Sequence, residues 1–124
     1  MNEDETKTVQ ELFGTSASTL EEFCRIYCRK FGWRAAWITL GAAGCAVFHE
    51  GSFVEVPGFP VASPNPVGAG DAFSAAVCHG ILEKWPISKI AEFANKLGAL
   101  TASQPGAVAA WNMRDIDSIP IAQR

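Results

Sequence analysis

Residues 65–76 read Asn-Pro-Val-Gly-Ala-Gly-Asp-Ala-Phe-Ser-Ala-Ala, a glycine-rich turn that leads into a run of small residues. A Gly-x-Gly turn that opens a helix leaves several backbone N–H groups without acceptors, and the positive end of the helix dipole lies behind them. Both features favour the binding of an anion. The turn is therefore predicted to be an anion site.

Asp71 follows the turn directly and limits the reactions that the turn could support. A carboxylate repels phosphate, but it is well placed to accept the proton of a hydroxyl that attacks phosphate. Turn and acid together indicate phosphoryl transfer, in which positioning and charge stabilisation supply most of the catalysis. The alternative is a plain helix N-terminus, in which Asp71 stabilises the helix dipole and has no chemical role.

Residues 67–76 resemble the C-terminal signature of the ribokinase-like (PfkB) family of carbohydrate kinases, in which a Gly-Ala-Gly-Asp turn forms the anion hole and its aspartate is the catalytic base. Three further segments occur in the order that this family requires. They are Asn2-Glu3-Asp4-Glu5, which resembles an Asn-x-x-Glu motif associated with magnesium and phosphate, Thr39-Leu40-Gly41-Ala42-Ala43-Gly44, which resembles the strand-to-loop segment near the ATP phosphates, and Ala94-Asn95 with Gly98-Ala99, which resemble the helix lining the adenine pocket. The resemblance extends from Asn2 to about Ala110.

This resemblance implies an α/β fold, the ribokinase-like (Rossmann-like) three-layer αβα sandwich, of which the chain is the C-terminal portion. It also implies an ATP-dependent kinase that acts on a hydroxyl of a sugar or related small alcohol, with ATP and Mg²⁺ as cofactors. The implied site residues are Asp71 as general base, Gly68, Ala69 and Gly70 as anion hole, Thr39, Gly41, Gly44, Asn95 and Gly98 at the nucleotide, and Asn2 and Glu5 at magnesium through water.

The chain departs from the family pattern in two respects. Such kinases commonly carry Asp-Thr-Thr before the glycine turn, whereas this chain has Asn65-Pro66-Val67, so a hydroxyl near the phosphates is lost at Val67. The second departure is length. In this family the sugar-binding residues and the lid lie mostly in an N-terminal half, which we expect to be absent from residues 1–124.

Local patterns predict the order of helices and strands. Asn2-x-x-Glu5 also reads as a helix capping box without any family, and apolar residues recur with helical spacing from Leu20 to Phe31. The elements predicted after them are a buried parallel strand at 35–40, a flexible loop at 41–44, a hairpin turning at Glu50-Gly51, a short strand near 59–62, a helix from Asp71 to about Lys84, and a helix from Pro86 that keeps its period to Thr101 and ends by Pro105-Gly106.

Composition limits the possible partners. The 124 residues are 48% hydrophobic and 19% charged, as expected for one globular domain, and the net charge of −3 without a basic cluster argues against nucleic acid. A polar N-terminus and the lack of a long apolar run predict a soluble, cytoplasmic protein with no membrane partner. The four cysteines have no zinc-ligand spacing and are interpreted as thiols without metal. An exposed sheet edge makes a homo-oligomer possible.

Two other functions are compatible with parts of the sequence. The first is a non-catalytic fragment that binds nucleotide or is only structural, and the missing N-terminal half favours it. The second is a dinucleotide-binding oxidoreductase domain, because Gly68-x-Gly70 superficially resembles the Rossmann turn. Phe73 at the third glycine position argues against this second function, as does the lack of an acidic residue that ends a strand about 20 residues later.

Overall fold

The computed structural model describes residues 1–62, 65–106 and 110–119. The elements in these residues are α1 (Glu3–Phe13), α2 (Leu20–Phe31), β1 (Ala35–Thr39), a 3-10 helix (Gly41–Ala43), β2 (Gly44–His49), β3 (Ser52–Pro57), α3 (Ala69–Leu82), α4 (Ile87–Ala102) and α5 (Met113–Asp117). The chain divides into two compact units. The first contains Met1–Gly41 and Cys45–Glu55, and the second contains Ala42–Gly44 and Val56–Arg124. A single domain over residues 1–124 stays a prediction.

The two helices of the first unit begin at side-chain caps. The Oδ1 atom of Asn2 accepts a hydrogen bond from the N–H of Glu5 at 2.8 Å, and Oε2 of Glu5 accepts one from the N–H of Asn2 at 2.8 Å. At α2, Oγ1 of Thr19 accepts from the N–H of Glu22 at 3.1 Å, and Gly32 ends the helix with φ 65°. The predicted capping box and the predicted bounds of α2 are therefore confirmed.

The three strands form one sheet in the order β1-β2-β3. β1 pairs antiparallel with β2, and Thr39 lies opposite Cys45. Glu50 and Gly51 connect β2 to β3 with φ angles of 48° and 83°, which is the geometry of a type I′ hairpin turn. The core of the first unit is formed by α2, β1 and β2 and consists of Phe23, Cys24, Tyr27, Cys28, Ala36, Ile38, Ala46 and Phe48.

In the second unit, α3 and α4 pack against each other with glycines at their closest contacts. A Cβ atom at Gly80 would lie 2.7 Å from Cγ1 of Ile90, and one at Gly98 would lie 3.5 Å from the carbonyl oxygen of Ala69. The buried apolar residues of the helices in this unit are Phe73, Ala76, Val77, Ile90, Ala91, Ala94, Leu97, Ala102 and Ile116. Small residues thus bring the start of α3 close to the middle of α4.

Two predictions of strands are wrong. Residues 59–62 form no strand, and Phe59 is nevertheless buried. Proline lacks the N–H that a strand ladder needs, which explains why Pro60 interrupts this segment. β1 was expected to be a parallel strand, but its neighbour β2 runs antiparallel because the hairpin that contains β2 folds back along it. A parallel bridge does join Thr39 to Asn2.

Two predictions of other elements are also wrong in their details. α3 begins at Ala69 rather than Asp71, since Gly68 adopts a left-handed conformation from which the helix starts at once. Residues 41–44 were expected to form a flexible loop, but they form the 3-10 helix and the first residue of β2. Ala69 and Gly70 of the turn at residues 68–70 therefore belong to α3 itself.

Cys24, Cys28 and Cys45 are buried, whereas Cys78 is exposed. Burial raises the pKa of the Cys24 thiol to about 11. No helix within the described ranges combines the length and the apolar character of a membrane span.

Candidate active site

The candidate site is built around the turn that precedes α3. Gly68 is the N-cap residue of α3 with φ 82° and ψ −11°, and no side chain caps the helix there. Oδ1 of Asn65 accepts a hydrogen bond from the N–H of Val67 at 3.2 Å, and the N–H of Ala69 donates to the carbonyl oxygen of Pro66 at 3.2 Å. These two short-range bonds fix the turn, and the left-handed φ of Gly68 favours glycine at that position.

Three backbone donors of the turn stay available for a ligand. The N–H groups of Gly68, Gly70 and Asp71 have no acceptor among the described residues. Gly70 and Asp71 are exposed, and Gly68 is partly exposed. Donors at the first turn of a helix, next to the positive end of its dipole, form a site suited to phosphate. The predicted anion hole included Ala69 in place of Asp71, and in this structure the N–H of Ala69 is already bonded to Pro66.

Asp71 is the third residue of α3, and its side chain is exposed. Its carboxylate has no hydrogen-bond or ion-pair partner in the described part of the chain. Nearby, Oγ of Ser74 donates to the carbonyl oxygen of Gly70 at 2.9 Å, so this hydroxyl is directed at the helix backbone. The arrangement puts an exposed carboxylate in the same helical turn as the N–H groups of Gly70 and Asp71, and its catalytic role stays a prediction.

Helix α4 holds the turn from behind. The N–H of Asn65 donates to the carbonyl oxygen of Ala102, near the end of α4, at 2.7 Å. One turn earlier in α4, Gly98 faces Ala69 and Phe73 at ordinary van der Waals distances for an added Cβ. A longer side chain at Gly98 would push against the first turn of α3. Gly98, predicted to line the nucleotide, thus also supports the anion turn.

Asn95 is buried, with 7% of its surface exposed. Its Nδ2 atom donates to the carbonyl oxygens of Val56 and Pro57 at 3.1 and 3.2 Å. The same carbonyl of Val56 lies against Gly44, where an added Cβ would be only 2.1 Å from that oxygen. Asn95 and Gly44, both predicted at the nucleotide, therefore meet at the end of β3.

The remaining predicted residues belong to the first unit. Thr39 is the last residue of β1, and Gly41 begins the 3-10 helix with φ 59°. Asn2 and Glu5 use one oxygen each in the capping box of α1. Both are exposed, and Oε1 of Glu5 accepts no bond from the described residues. One exposed carboxylate suits magnesium held through water, and no cluster of three or more His, Cys, Asp or Glu ligands occurs in the described ranges.

The sequence of the chain also matches a known protein family. The sequence model described as "pfkB family carbohydrate kinase" matches residues 1–113. The chain belongs to the pfkB family. Membership confirms the resemblance that residues 67–76 and the three other motifs indicated.

Relatives within the family are kinases of several small molecules. The chain is 30% identical over 69 residues to an inositol 3-kinase of Arabidopsis thaliana, an alignment that covers 56% of this chain and 20% of that protein. It is 36% identical over 92 residues to an ATP-dependent ribose-1-phosphate kinase of Halopiger xanaduensis, covering 73% of this chain and 31% of that protein. The chain thus spans less than a third of the length of these relatives.

A solved structure confirms the predicted ribokinase-like α/β fold. The crystal structure of ribokinase from Thermotoga maritima superposes with a TM-score of 0.82 at 20% identity, covering 95% of this chain and 40% of that chain. The likeness extends over most of this chain, and at this identity it concerns the fold alone.

Sequence reasoning missed two residues of this pfkB site. Gly58 was given no role in the site from the sequence. Its N–H donates to the carbonyl oxygen of Ala43 at 3.0 Å, and an added Cβ at Gly58 would lie 2.4 Å from the carbonyl oxygen of Ala42. Asn65 was treated as a departure from the family pattern, but its Oδ1 caps the turn. A Pro-Gly pair is a possible signal for a close backbone approach, whereas nothing local identifies its partner.

Proposed function

We propose that this chain supplies the nucleotide-binding and phosphoryl-transfer part of an ATP-dependent carbohydrate kinase. The observation that carries the proposal is the first turn of α3, where the free N–H groups of Gly68, Gly70 and Asp71 adjoin the exposed carboxylate of Asp71. Membership of the pfkB family supports the reaction class. The acceptor is a hydroxyl of a sugar or related small alcohol.

In the proposed reaction, Asp71 is the general base. Its carboxylate accepts the proton of the substrate hydroxyl as the hydroxyl oxygen forms a bond to the γ-phosphorus of ATP. The bond from that phosphorus to the bridging oxygen breaks, and ADP leaves with the electron pair. The free N–H groups of Gly68, Gly70 and Asp71 stabilise the negative charge on the transferred phosphoryl group. The N–H of Ala69, the middle residue of the predicted anion hole Gly68-Ala69-Gly70, is bonded to Pro66 instead.

Helix α3 fixes the backbone of Asp71 beside the anion donors. A positioned base of this kind typically contributes 10²- to 10⁴-fold to a rate. The donors act at the same place without reorganisation, since the bonds of Asn65 to Val67 and to Ala102 already fix the turn. Catalysis by positioning and charge stabilisation is thus compatible with a rigid turn.

The proposed cofactors are ATP and Mg²⁺. Thr39, Gly41, Gly44, Asn95 and Gly98 are proposed at the nucleotide, and Asn2 and Glu5 are proposed to orient magnesium through water. Magnesium would neutralise phosphate charge during transfer. A soluble, cytoplasmic protein remains the expectation for an enzyme of this kind, and self-association remains a prediction.

The second candidate function is a non-catalytic module that binds nucleotide. It is favoured by the free N–H groups of Gly68, Gly70 and Asp71, which suit a phosphate whether or not a substrate hydroxyl lies beside it. Under this alternative the turn holds the phosphates of a nucleotide, and Asp71 has no substrate hydroxyl to deprotonate.

The two functions are distinguished by measuring ATP-dependent phosphoryl transfer. The chain is assayed with fructose, myo-inositol and ribose 1-phosphate, alongside the variant Asp71→Asn. Transfer that falls at least about 100-fold in the variant supports the kinase with Asp71 as base. Equal transfer by both proteins contradicts the base assignment, and nucleotide binding without any transfer supports the non-catalytic module.

A further inference from the structure

The side-chain amide of Asn95 connects α4 to the end of β3. Its Nδ2 atom lies 3.1 and 3.2 Å from the carbonyl oxygens of Val56 and Pro57. An amide oxygen cannot donate to a carbonyl, so the atom that faces them is the nitrogen Nδ2. Nδ2 is therefore committed to the backbone, and Oδ1 is left to accept a bond.

The two carbonyls belong to a tight backbone contact. A Cβ atom at Gly44 would lie 2.1 Å from the oxygen of Val56 and 2.4 Å from the nitrogen of Gly58. The N–H of Gly58 donates to the carbonyl oxygen of Ala43 at 3.0 Å. We define this contact between residues 42–44 and 56–58 as the glycine junction. Its backbones approach so closely that only glycine fits at Gly44 and Gly58.

Asn95 closes the glycine junction from the side of α4. Because Asn95 is buried, the carbonyls that it satisfies have reduced access to water, and a partner lost there is not simply replaced. Its two hydrogen bonds fix the distance of the Val56 and Pro57 carbonyls from α4. Those residues in turn fix Gly44, which is proposed at the nucleotide. The chain of contacts is continuous and lies entirely within the second unit.

We infer that Asn95 is a positioning residue, which fixes the glycine junction through Nδ2 and so shapes the nucleotide segment at residues 42–44 without hydrogen bonding to the base. This inference rests on the proposed function. It differs from the role that family resemblance gives Asn95, which is to line the adenine pocket as a ligand. The two roles use different atoms, since a direct bond to the amino group of adenine would require the acceptor Oδ1.

The variant Asn95→Asp separates these two roles. Aspartate keeps an acceptor oxygen of nearly the same shape but replaces the donor with a second acceptor, which repels both carbonyls. Asn95→Ala removes both atoms and serves as the second variant. Ser88→Ala, at an exposed position of the same helix, is the matched control.

The first measurement is amide hydrogen exchange of the chain without nucleotide, read by NMR. The inference predicts that Asn95→Asp and Asn95→Ala each lower the protection of the Gly58 amide at least tenfold. The Trp85 amide, bonded to the carbonyl of Gly80 at 2.9 Å, reports on the same unit and should keep its protection in all variants. Unchanged protection of Gly58 overturns the inference, and equal losses at Gly58 and Trp85 also overturn it because they show global destabilisation.

The second measurement is the affinity for Mg-ATP and Mg-GTP by calorimetry. A positioning role predicts that Asn95→Asp weakens both nucleotides by a similar factor of about tenfold, so their ratio is unchanged. A ligand role predicts that Asn95→Asp binds ATP well and that Asn95→Ala changes the ATP to GTP ratio, and either result overturns the inference. If the wild-type chain binds neither nucleotide, the proposed function fails, whereas the Gly58 exchange still decides whether Asn95 holds the junction.

Discussion

Replacing Gly44 by alanine tests the glycine junction most severely. The new Cβ would lie 2.1 Å from the oxygen of Val56, 2.4 Å from the nitrogen of Gly58 and 2.6 Å from the carbonyl carbon of Pro57, all of them backbone atoms that cannot rotate away. The φ of Gly44 is 111°, a conformation that costs a residue with a side chain about 1–3 kcal/mol. The variant must therefore either distort the backbone around residue 44 or separate the end of β3 from the start of β2.

Separation also breaks the hydrogen bond from Gly58 to Ala43, which contributes about 1 kcal/mol. The conformational cost and the lost hydrogen bond together predict that Gly44→Ala lowers the free energy of unfolding by about 2–4 kcal/mol. At about 4 °C per kcal/mol, the midpoint of thermal unfolding should fall by about 8–16 °C. Circular dichroism during heating and urea titration both measure this loss.

Gly41→Ala is the matched control for Gly44→Ala. Gly41 also has a left-handed φ, 59°, but a Cβ there meets no atom within 4 Å. Only the conformational cost of about 1–2 kcal/mol is expected. If the two variants unfold at the same temperature, the close approach at Gly44 contributes nothing to stability and the reasoning is refuted.

Two further predictions concern the turn and the buried thiols. Val67→Thr restores a hydroxyl next to the anion donors at an exposed position. Nucleotide affinity, measured by calorimetry, should rise up to about fivefold, and the free energy of unfolding should stay within about 0.5 kcal/mol of wild type. An unchanged affinity would count against a phosphate at this turn. Burial raises the folded-state pKa of Cys24 to about 11 from 9.0, so the unfolded chain loses its proton first as pH rises. The free energy of unfolding should therefore fall between pH 9 and 11, by up to about 1.4 kcal/mol per pH unit, and Cys24→Ala should reduce this slope in urea titrations.

Local signals in the sequence predicted the elements whose structure is decided locally. The capping box of Asn2 and Glu5, the glycine that ends α2 at Gly32 and the hairpin turn at Glu50 and Gly51 each depend on residues within one turn of the chain. The conformation of the turn before α3 is also decided locally, since Gly68 is the N-cap residue of that helix. The role of this turn as an anion site stays a prediction. These features needed no information about the rest of the fold.

The features that escaped prediction depend on residues far apart in the chain. Asn95 is separated from Val56 by 39 positions, and no spacing rule connects a helix residue to the end of that strand. The burial of Asn95 and the need for glycine at Gly58 follow only when the two segments meet. The orientation of β1 relative to β2 was missed because an apolar run of five residues is compatible with either pairing.

Under the proposed function, the turn before α3 does not select among acceptor alcohols. In the proposed reaction, Gly68, Gly70 and Asp71 would treat any suitably placed hydroxyl alike, because they would contact only the phosphoryl group and the proton that is transferred. Selectivity among sugars requires side chains that contact the rest of the substrate, and no residue in the described parts of the second unit is assigned that role.

The central claim, that the turn before α3 binds the phosphates while Asp71 acts separately as a base, is tested most directly by calorimetric titration with Mg-ATP. Wild type is compared with Asp71→Asn and with Gly70→Val, at a position where an added Cβ meets no atom within 4 Å. We predict that wild type and Asp71→Asn bind with similar affinity and that Gly70→Val binds at least about tenfold more weakly. The branched side chain would keep a phosphate away from the N–H groups, and a hydrogen bond to a charged group contributes about 1.5–3 kcal/mol. A folded wild-type chain that does not bind Mg-ATP, or a Gly70→Val variant that binds it normally, would contradict the account.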